Sequence, residues 1–286
     1  MTAVHQEAQG ASVRSRRMFS RIPWDLALAV AALAFFAIAA IVPQWIAPFS
    51  PTAQDLDAAL RPPSWAHPFG TDPAGRDLFS RVIWGTRESL LIGVGSAALA
   101  LALAVVLGSL AALSDRFTRA VTNRLIEIAF AIPSLLLALV FVALLGPSAW
   151  TALFAIGVST APGYARMVRG QILAVRGSGY VEAARALGHS RWLVVRQHIL
   201  PNAMRPLVAV FAMAIGQTIV WASALAFLGL GTPPPSPEWG ALLDAGRSYL
   251  LSAGWLTFLP GLAILVLAVA ATTVGTHLQR LLERTD

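Results

Sequence analysis

The residues with the most telling types and spacing are Glu182-Ala183-Ala184, then Gly188, then Leu200-Pro201, set around a short polar stretch. They belong to a polar, helix-forming insert between two strongly apolar segments, the kind of stretch a membrane protein shows to a soluble partner, with small alanines on one face that could lie in a partner's groove. Glu182 lies three residues after Gly179, near a helix start, where a carboxylate meets the positive end of the helix dipole. Ala183, Ala184, Arg185, Ala186 and Leu187 are good helix formers. Gly188 suits a left-handed cap after Leu187, and Ser190 can cap a second short helix over 191–198 that ends before Pro201. Trp192, Val194 and Val195 offer that second helix its anchors.

Other chemistry is thinly represented. Cysteine is absent, so neither disulfide nor thiolate chemistry is available, and the five histidines lack metal-ligand spacing. His67 and His198 read as loop residues and His277 as lying near the last helix end, all with structural roles. No nucleophile–base pattern, phosphate-binding glycine loop or paired-carboxylate motif occurs. The sequence therefore predicts a non-catalytic chain with no catalytic residue, metal or cofactor of its own.

The elements that must position the 182–201 stretch are membrane spans. With 57% apolar and 12% charged residues and a mean hydropathy of +0.68, the composition belongs in a bilayer. Runs of about 20 apolar residues, enough to cross roughly 30 Å of hydrocarbon, occur at 26–46, 90–113, 207–228 and 256–276. A further stretch without charge, 128–165, contains the turn Gly146-Pro147-Ser148 and divides into spans at 126–145 and 149–164. The expectation is an all-α integral membrane protein with six transmembrane helices. The first run is too long for a cleaved leader, and no small-x-small cleavage site follows it cleanly. Residues 1–21 form a basic, flexible head; 22–89 hold the first span and a loop; 90–282 form the core, including loop 166–205; 283–286 are a tail. Apolar residues around Phe79, Val82, Ile83 and Trp84 suggest an interfacial helix before the second span.

Every basic residue is arginine. With six spans, all arginines except Arg61, Arg76, Arg81, Arg87 and Arg247 fall on the side of the amino terminus. That asymmetry predicts both termini and the 182–201 stretch in the cytoplasm. Dispersal of the arginines among membrane-flanking loops disfavours nucleic acid as the reason for the net charge of +7. Proton- or sodium-coupled carriers usually keep ionisable groups within the bilayer. The runs 26–46, 90–113, 128–165, 207–228 and 256–276 have no Asp, Glu, Lys or Arg. Energy for transport is therefore expected from outside the bilayer.

Polar and aromatic handles for a translocation path are Gln217, Thr218, Trp221 and Ser223 on the fifth span. Pro133, Pro162 and Pro260 can bend helices or mark joints, and Gly93/Ala97 and Gly108/Ala112 supply small faces. In the outward loops, Asp72, Arg76, Asp77, Glu238, Asp244 and Arg247 are candidate contacts for an extracytoplasmic protein, and the proline run 233–235 is expected to be extended.

At Glu182, Ala183, Ala184, Gly188, Leu200 and Pro201 the chain resembles the E-A-A, three residues, G, nine residues, I-x-L-P signature of permease subunits of ATP-binding-cassette importers. One position departs: His198 occupies the isoleucine slot, with Ile199 next. Gly70-Thr71-Asp72 through Gly75-Arg76-Asp77, Ser80-Arg81 and Gly85 to Leu90 is similar to the stretch before the second helix of C-type permeases of dipeptide, oligopeptide and nickel importers. Phe227 to Gly231, Pro234-Pro235, Trp239-Gly240 and Gly246-Arg247 resemble the same family's outward loop. The resemblance spans about 22–282. It implies the type I importer permease fold with a cytoplasmic coupling helix, a homologous second permease subunit, two cytoplasmic ATPases carrying ATP and magnesium, and a binding protein that delivers peptides. It also implies that Glu182, Ala183, Ala184, Leu187, Gly188, Leu200 and Pro201 couple the ATPases to the spans. Nickel chelates or another small solute remain alternative cargoes, and a stand-alone carrier or a membrane scaffold alternative functions.

Overall fold

The structure, a computed structural model, describes residues 23–283. The basic head expected over 1–21, and nearly all of the short tail, lie outside the described residues. The chain runs through α1 (Trp24–Ile41), α2 (Leu78–Leu113), α3 (Arg116–Ala131), α4 (Ser134–Leu145), α5 (Ala149–Arg176), α6 (Gly179–Ala186), α7 (Arg191–Val194), α8 (Leu200–Met204), α9 (Leu207–Leu225), α10 (Trp239–Arg247) and α11 (Trp255–Glu283).

Helix starts follow local chemistry. The Asp77 carboxylate accepts from Ser80 N at 2.7 Å and caps α2, and Asp115 accepts from Phe117 N and Thr118 N to cap α3. The Ser148 hydroxyl accepts from Thr151 N and caps α5. Each bond satisfies a backbone donor that the first helical turn leaves open.

Among the described residues, four elements are long and apolar enough to cross a bilayer: α1, α2, α11, and α9 with the π-turn that extends it to Leu230. The expected span over 126–145 is not one straight helix. Its residues are divided between α3 and α4, bent by 89° at Ile132-Pro133, and only as one broken span do these helices make a fifth crossing. Proline lacks an N–H and disfavours helical geometry in the residue before it, which accounts for the break. At 12 residues, α4 rises only about 18 Å and is short of a bilayer by itself. The expected span over 149–164 lies in α5, whose 28 residues continue past Tyr164 to Arg176 and carry Arg166 and Arg169. Helix α5 is not among the helices apolar enough to cross, so by length and composition the described residues offer four or five spans against the six expected. Pro162 and Pro260 sit inside α5 and α11 without ending them.

The interfacial helix expected around Phe79 to Trp84 is instead the first part of α2, which continues unbroken for 36 residues. Val82 and Ile83 are buried, and Leu78 and Val82 join a core with Phe36, Trp239 and Leu256. Gly85, within this segment, lets the backbone of Pro237 approach: a Cβ there would stand 2.0 Å from the Pro237 carbonyl oxygen.

Helix α2 packs chiefly on α5 and also on α9, while α9 packs on α11 and α11 on α1. Its buried face is Gly93, Ala97, Ala100, Ala104, Gly108, Ala111 and Ala112. A Cβ on Gly93 would stand 2.2 Å from Ile219 Cγ1, and one on Gly108 2.8 Å from Val168 Cβ and 2.9 Å from the Ala165 carbonyl oxygen. Such small faces let helix backbones approach closely enough for side-chain hydroxyls to bridge them. Thr218 Oγ1 donates to Gly93 O at 2.7 Å, and Ser96 Oγ to Leu153 O at 3.1 Å.

Gly93→Leu should lower stability by about 1–3 kcal/mol through overpacking. Gly170→Leu, where no atom lies within 4 Å of an added Cβ, serves as the helical control. Thermal unfolding in detergent should show a depressed midpoint for the first variant and little change for the second.

Candidate functional site

The polar stretch after α5 folds as a helix, a bend and a second helical run. Helix α6 starts after Ser178 and places Glu182 in its first turn. It ends in a Schellman arrangement: Gly188 N donates to Arg185 O at 3.0 Å, and His189 N donates to Ala184 O at 3.2 Å. Gly188 has φ +82°, with no atom within 4 Å of the position a Cβ would take. The glycine is therefore required by its backbone angle and not by crowding. Ser190 then accepts from Leu193 N and caps α7.

The second run differs from its expected form. It does not stop before Pro201, because α7 leads through a π-turn, Val195–Ile199, into α8, where Pro201 is the second residue. Leu200 N reaches back five residues to Val195 O. That widened turn accommodates a proline that would crowd the Gln197 carbonyl in a regular helix. The change of phase buries Ile199 at 1% exposure. His198 is half-buried and its ring stacks on His189 with centroids 6.0 Å apart. The neighbouring isoleucine therefore fills the core, and the substitution at His198 remains local.

Glu182, Ala183, Gly188 and Pro201 are exposed, Leu187 is 77% exposed, and Leu200 is half-buried. Ala184 is not on that outer face. It is buried in a core with Val181, Val194, Ile199 and Ala203, which ties α6 to α7 and α8. Its small side chain serves packing within the chain. Trp192 is 68% exposed, whereas Val194 provides the buried anchor.

At the opposite end of α2, loops 42–77 and 231–254 meet in a polar knot that takes in four of the six residues expected to contact an extracytoplasmic protein, Asp72, Arg76, Asp77 and Glu238. Asp72 is buried and accepts from Arg76 Nε and Arg81 NH1, both at 2.6 Å, and from the backbone of Ala74 and Arg76. Arg81 also reaches Pro235 O and Ser236 O at 3.3 and 3.2 Å, joining the two loops. Buried Asp77 caps α2 and meets His67 Nδ1 at 2.9 Å. Buried Glu238 caps α10 through Gly240 N and Ala241 N, both at 2.8 Å. Burial pushes its carboxyl up from the usual range, against the lowering by those backbone bonds.

Asp72, Asp77 and Glu238 thus hold the loops and offer no docking surface, and Arg76 is only half-exposed. Asp244 and Arg247 remain accessible, 4.0 Å apart, with Arg247 over the Phe227 ring. The proline run is not extended: it turns through a cis Pro234–Pro235 bond, with Ser236 N on Pro233 O. Arg81 was missed as a site because its neighbours in sequence look interfacial. Its partners, 9 and some 154 residues away, leave no local signal.

Of the path candidates, Gln217 and Trp221 line two clefts. One of ≈ 470 Å³ lies among the α3–α4 break, α5 and α9, and another of ≈ 560 Å³ lies between α9 and α11. Thr218 and Ser223 do not join them: both are buried, with hydroxyls on Gly93 O and Ala214 O, and on Ile219 O, respectively. Tyr164 OH donates to Gln217 Oε1 at 2.9 Å. In the sequence Tyr164 marks only the end of the expected span 149–164. Its pairing across 53 residues had no local signature.

Residues 104–285 match the family model described as "Binding-protein-dependent transport system inner membrane component". The chain is 43% identical over 239 residues to a probable D,D-dipeptide transport system permease protein of Escherichia coli, covering 84% of this chain and 80% of that protein. It is 39% identical to a di/tripeptide transport system permease protein of Pseudomonas aeruginosa, covering 85% and 82%. A glutathione transport system permease protein of Pectobacterium atrosepticum is 37% identical, with 80% and 76% covered. Among solved structures, the fold is similar to a chain of the MetNI methionine transporter in inward-facing conformations, with TM-score 0.57, 20% identity and coverage of 71% and 96%. It is also similar to a chain of an amino acid ABC transporter, with TM-score 0.59, 16% identity and coverage of 71% and 94%. The fold is that of type I importer permeases.

Arg81→Met would leave Asp72 buried without its better enclosed cation, at a cost of about 3–5 kcal/mol. Arg247→Met, at an exposed pair, should cost less than about 1 kcal/mol. Unfolding midpoints and limited proteolysis of the loops should separate these variants.

Proposed function

The chain belongs to the family of inner membrane components of binding-protein-dependent transport systems, and from that premise we propose that it is the permease subunit of an ATP-driven importer of di- or oligopeptides. Similarity to proteins named for dipeptide, di/tripeptide and glutathione transport supports the peptide cargo. The observation that carries the mechanical role is the outer face of α6: an exposed carboxylate, an exposed alanine and an exposed leucine beside a bend held by Gly188.

In this reading a cytoplasmic ATPase grips α6. Glu182 supplies a bond to the partner, Ala183 lets it come close, and Leu187 enters an apolar recess. Val181 and Ala184 hold α6 to α7 and α8, so force applied to α6 passes through the π-turn to α9. Closure of the ATPase pair then becomes rigid-body motion of spans. ATP and magnesium belong to the partner subunits, and this chain performs no catalysis. A homologous second permease completes the path, with Gln217, Tyr164 and Trp221 facing it across the clefts. Asp244 and Arg247 are the charges available to an extracytoplasmic binding protein, and both termini face the cytoplasm.

Glu182→Lys and Gly188→Val should reduce peptide uptake by roughly tenfold or more, equivalent to about 1.4 kcal/mol of docking free energy. ATPase stimulation should fall in parallel. Gly188→Asn, which tolerates positive φ, should retain most uptake. Undiminished uptake in the first two, with a complete complex, would remove the coupling role. For the path, Gln217→Ala should raise the concentration of peptide-loaded binding protein needed for half-maximal uptake while the ATPases remain attached. An unaltered uptake curve would exclude Gln217.

A further inference from the structure

A second recognition site adjoins the coupling loop. A cavity of ≈ 630 Å³ at the end of α2 is lined by Arg119, Arg176, Arg185 and Arg191, with Asp115 the sole carboxylate in its lining. Asp115 is already bonded to the first backbone amides of α3. Arg119 and Arg176 are half-buried and are steered by bonds to Ser114 O at 2.8 Å and Ala112 O at 3.3 Å. Arg119 Nε is buried and meets no hydrogen-bond partner among the described residues. Arg185 and Arg191 are exposed at the rim. Four arginines lining the cavity against one committed carboxylate fit a phosphate group.

The cavity does not end at the arginines. An apolar groove of ≈ 610 Å³ shares Leu113, Ser114, Arg191 and Val195 with it and continues along α2 past Leu110 to Val106. Trp192 forms one wall. Val106 and Leu110 are exposed and belong to a membrane-crossing helix, so hydrocarbon is their natural neighbour. Basic groups, an aromatic ring and an apolar groove thus occur in the order met on passing from headgroup to acyl chain.

We propose that this composite cavity binds an anionic phospholipid, with its phosphate among Arg119, Arg176, Arg185 and Arg191 and an acyl chain along Leu110 and Val106. A protein carboxylate would answer the arginines but leave the groove empty, and a free phosphate would do the same. The bound lipid would brace α7 against α2 beside the coupling helix. Only the assignment to the cytoplasmic leaflet rests on the orientation proposed above; the binding itself does not require that peptide be the cargo.

The test uses the full chain with whatever subunits co-purify, exchanged into detergent containing equimolar phosphatidylglycerol and phosphatidylcholine. Retained lipid is counted by native mass spectrometry. Phosphatidylglycerol should be retained in preference, and Arg185→Gln with Arg191→Gln should reduce that preference by roughly tenfold or more, on the scale of attraction per juxtamembrane arginine. Trp192→Ala should weaken retention of both lipids, and excess inorganic phosphate should displace little. Unchanged unfolding midpoints identify variants that fold. Should folded variants retain native preference, or native protein hold both lipids equally, the proposal is wrong. Full displacement by inorganic phosphate would reassign the cavity to a free anion. Cross-linking of Arg191 to a co-purified soluble subunit with no lipid retained would reassign it to a protein contact. Either reassignment overturns the lipid site while leaving peptide uptake, measured separately, as the gauge of transport.

Discussion

Close approach of helix backbones along α2 is the constraint on which the remainder depends. Hydrocarbon provides little hydrophobic drive for one apolar helix to leave lipid for another. Association must come from packing and from hydroxyl-to-carbonyl bonds, both of which require short distances. Gly93 and Gly108 create those distances against Ile219 and Val168, and Thr218 and Ser96 use them. A polar residue such as Thr218, attractive as a pathway lining when viewed along one helix, is thereby committed to holding two helices together.

The two ends of the bundle use charge in opposite ways. Around Asp72 every oxygen has a donor, and Arg81 carries the connection from the first loop to the carbonyls of Pro235 and Ser236. Burial there makes the ions structural, because an unmatched partner would be costly. At the other end, Glu182, Arg185 and Arg191 are exposed and free of that duty. Exposed charge beside a rigid bend is suited to recognition, where buried charge is suited to holding shape.

Much of the architecture was legible because bilayers enforce simple patterns. Uncharged runs found α1, α2, α9 and α11, and the glycine, serine and small residues after Gly179 found α6, its cap and the start of α7. Boundaries failed where tertiary contacts override composition. An apolar run around Pro133 looks like one span, yet the proline breaks it by 89°. Pro201 looks like a stop, yet a π-turn carries the helix through. Charges flanking the spans read as solvent-facing until their partners are known, and the carbonyl partners of Arg81, at Pro235 and Ser236, lie about 155 residues away. Small-residue spacings were present in α2 but abundant alanine made them uninformative without the neighbouring helix.

The unbroken length of α2 has a mechanical consequence. Its 36 residues extend about 54 Å, well beyond the thickness of hydrocarbon. One tip is clamped in the Asp72 knot and the other abuts the arginine cavity beside the 182–201 stretch. A rod of that length, packed closely at the small residues near its middle, has the proportions of a lever arm. A tilt of about 10° displaces one tip relative to the other by roughly 9 Å, given that length. A rigid tilt of such a rod would reach both faces of the membrane by geometry alone, without any chain of side-chain switches between them.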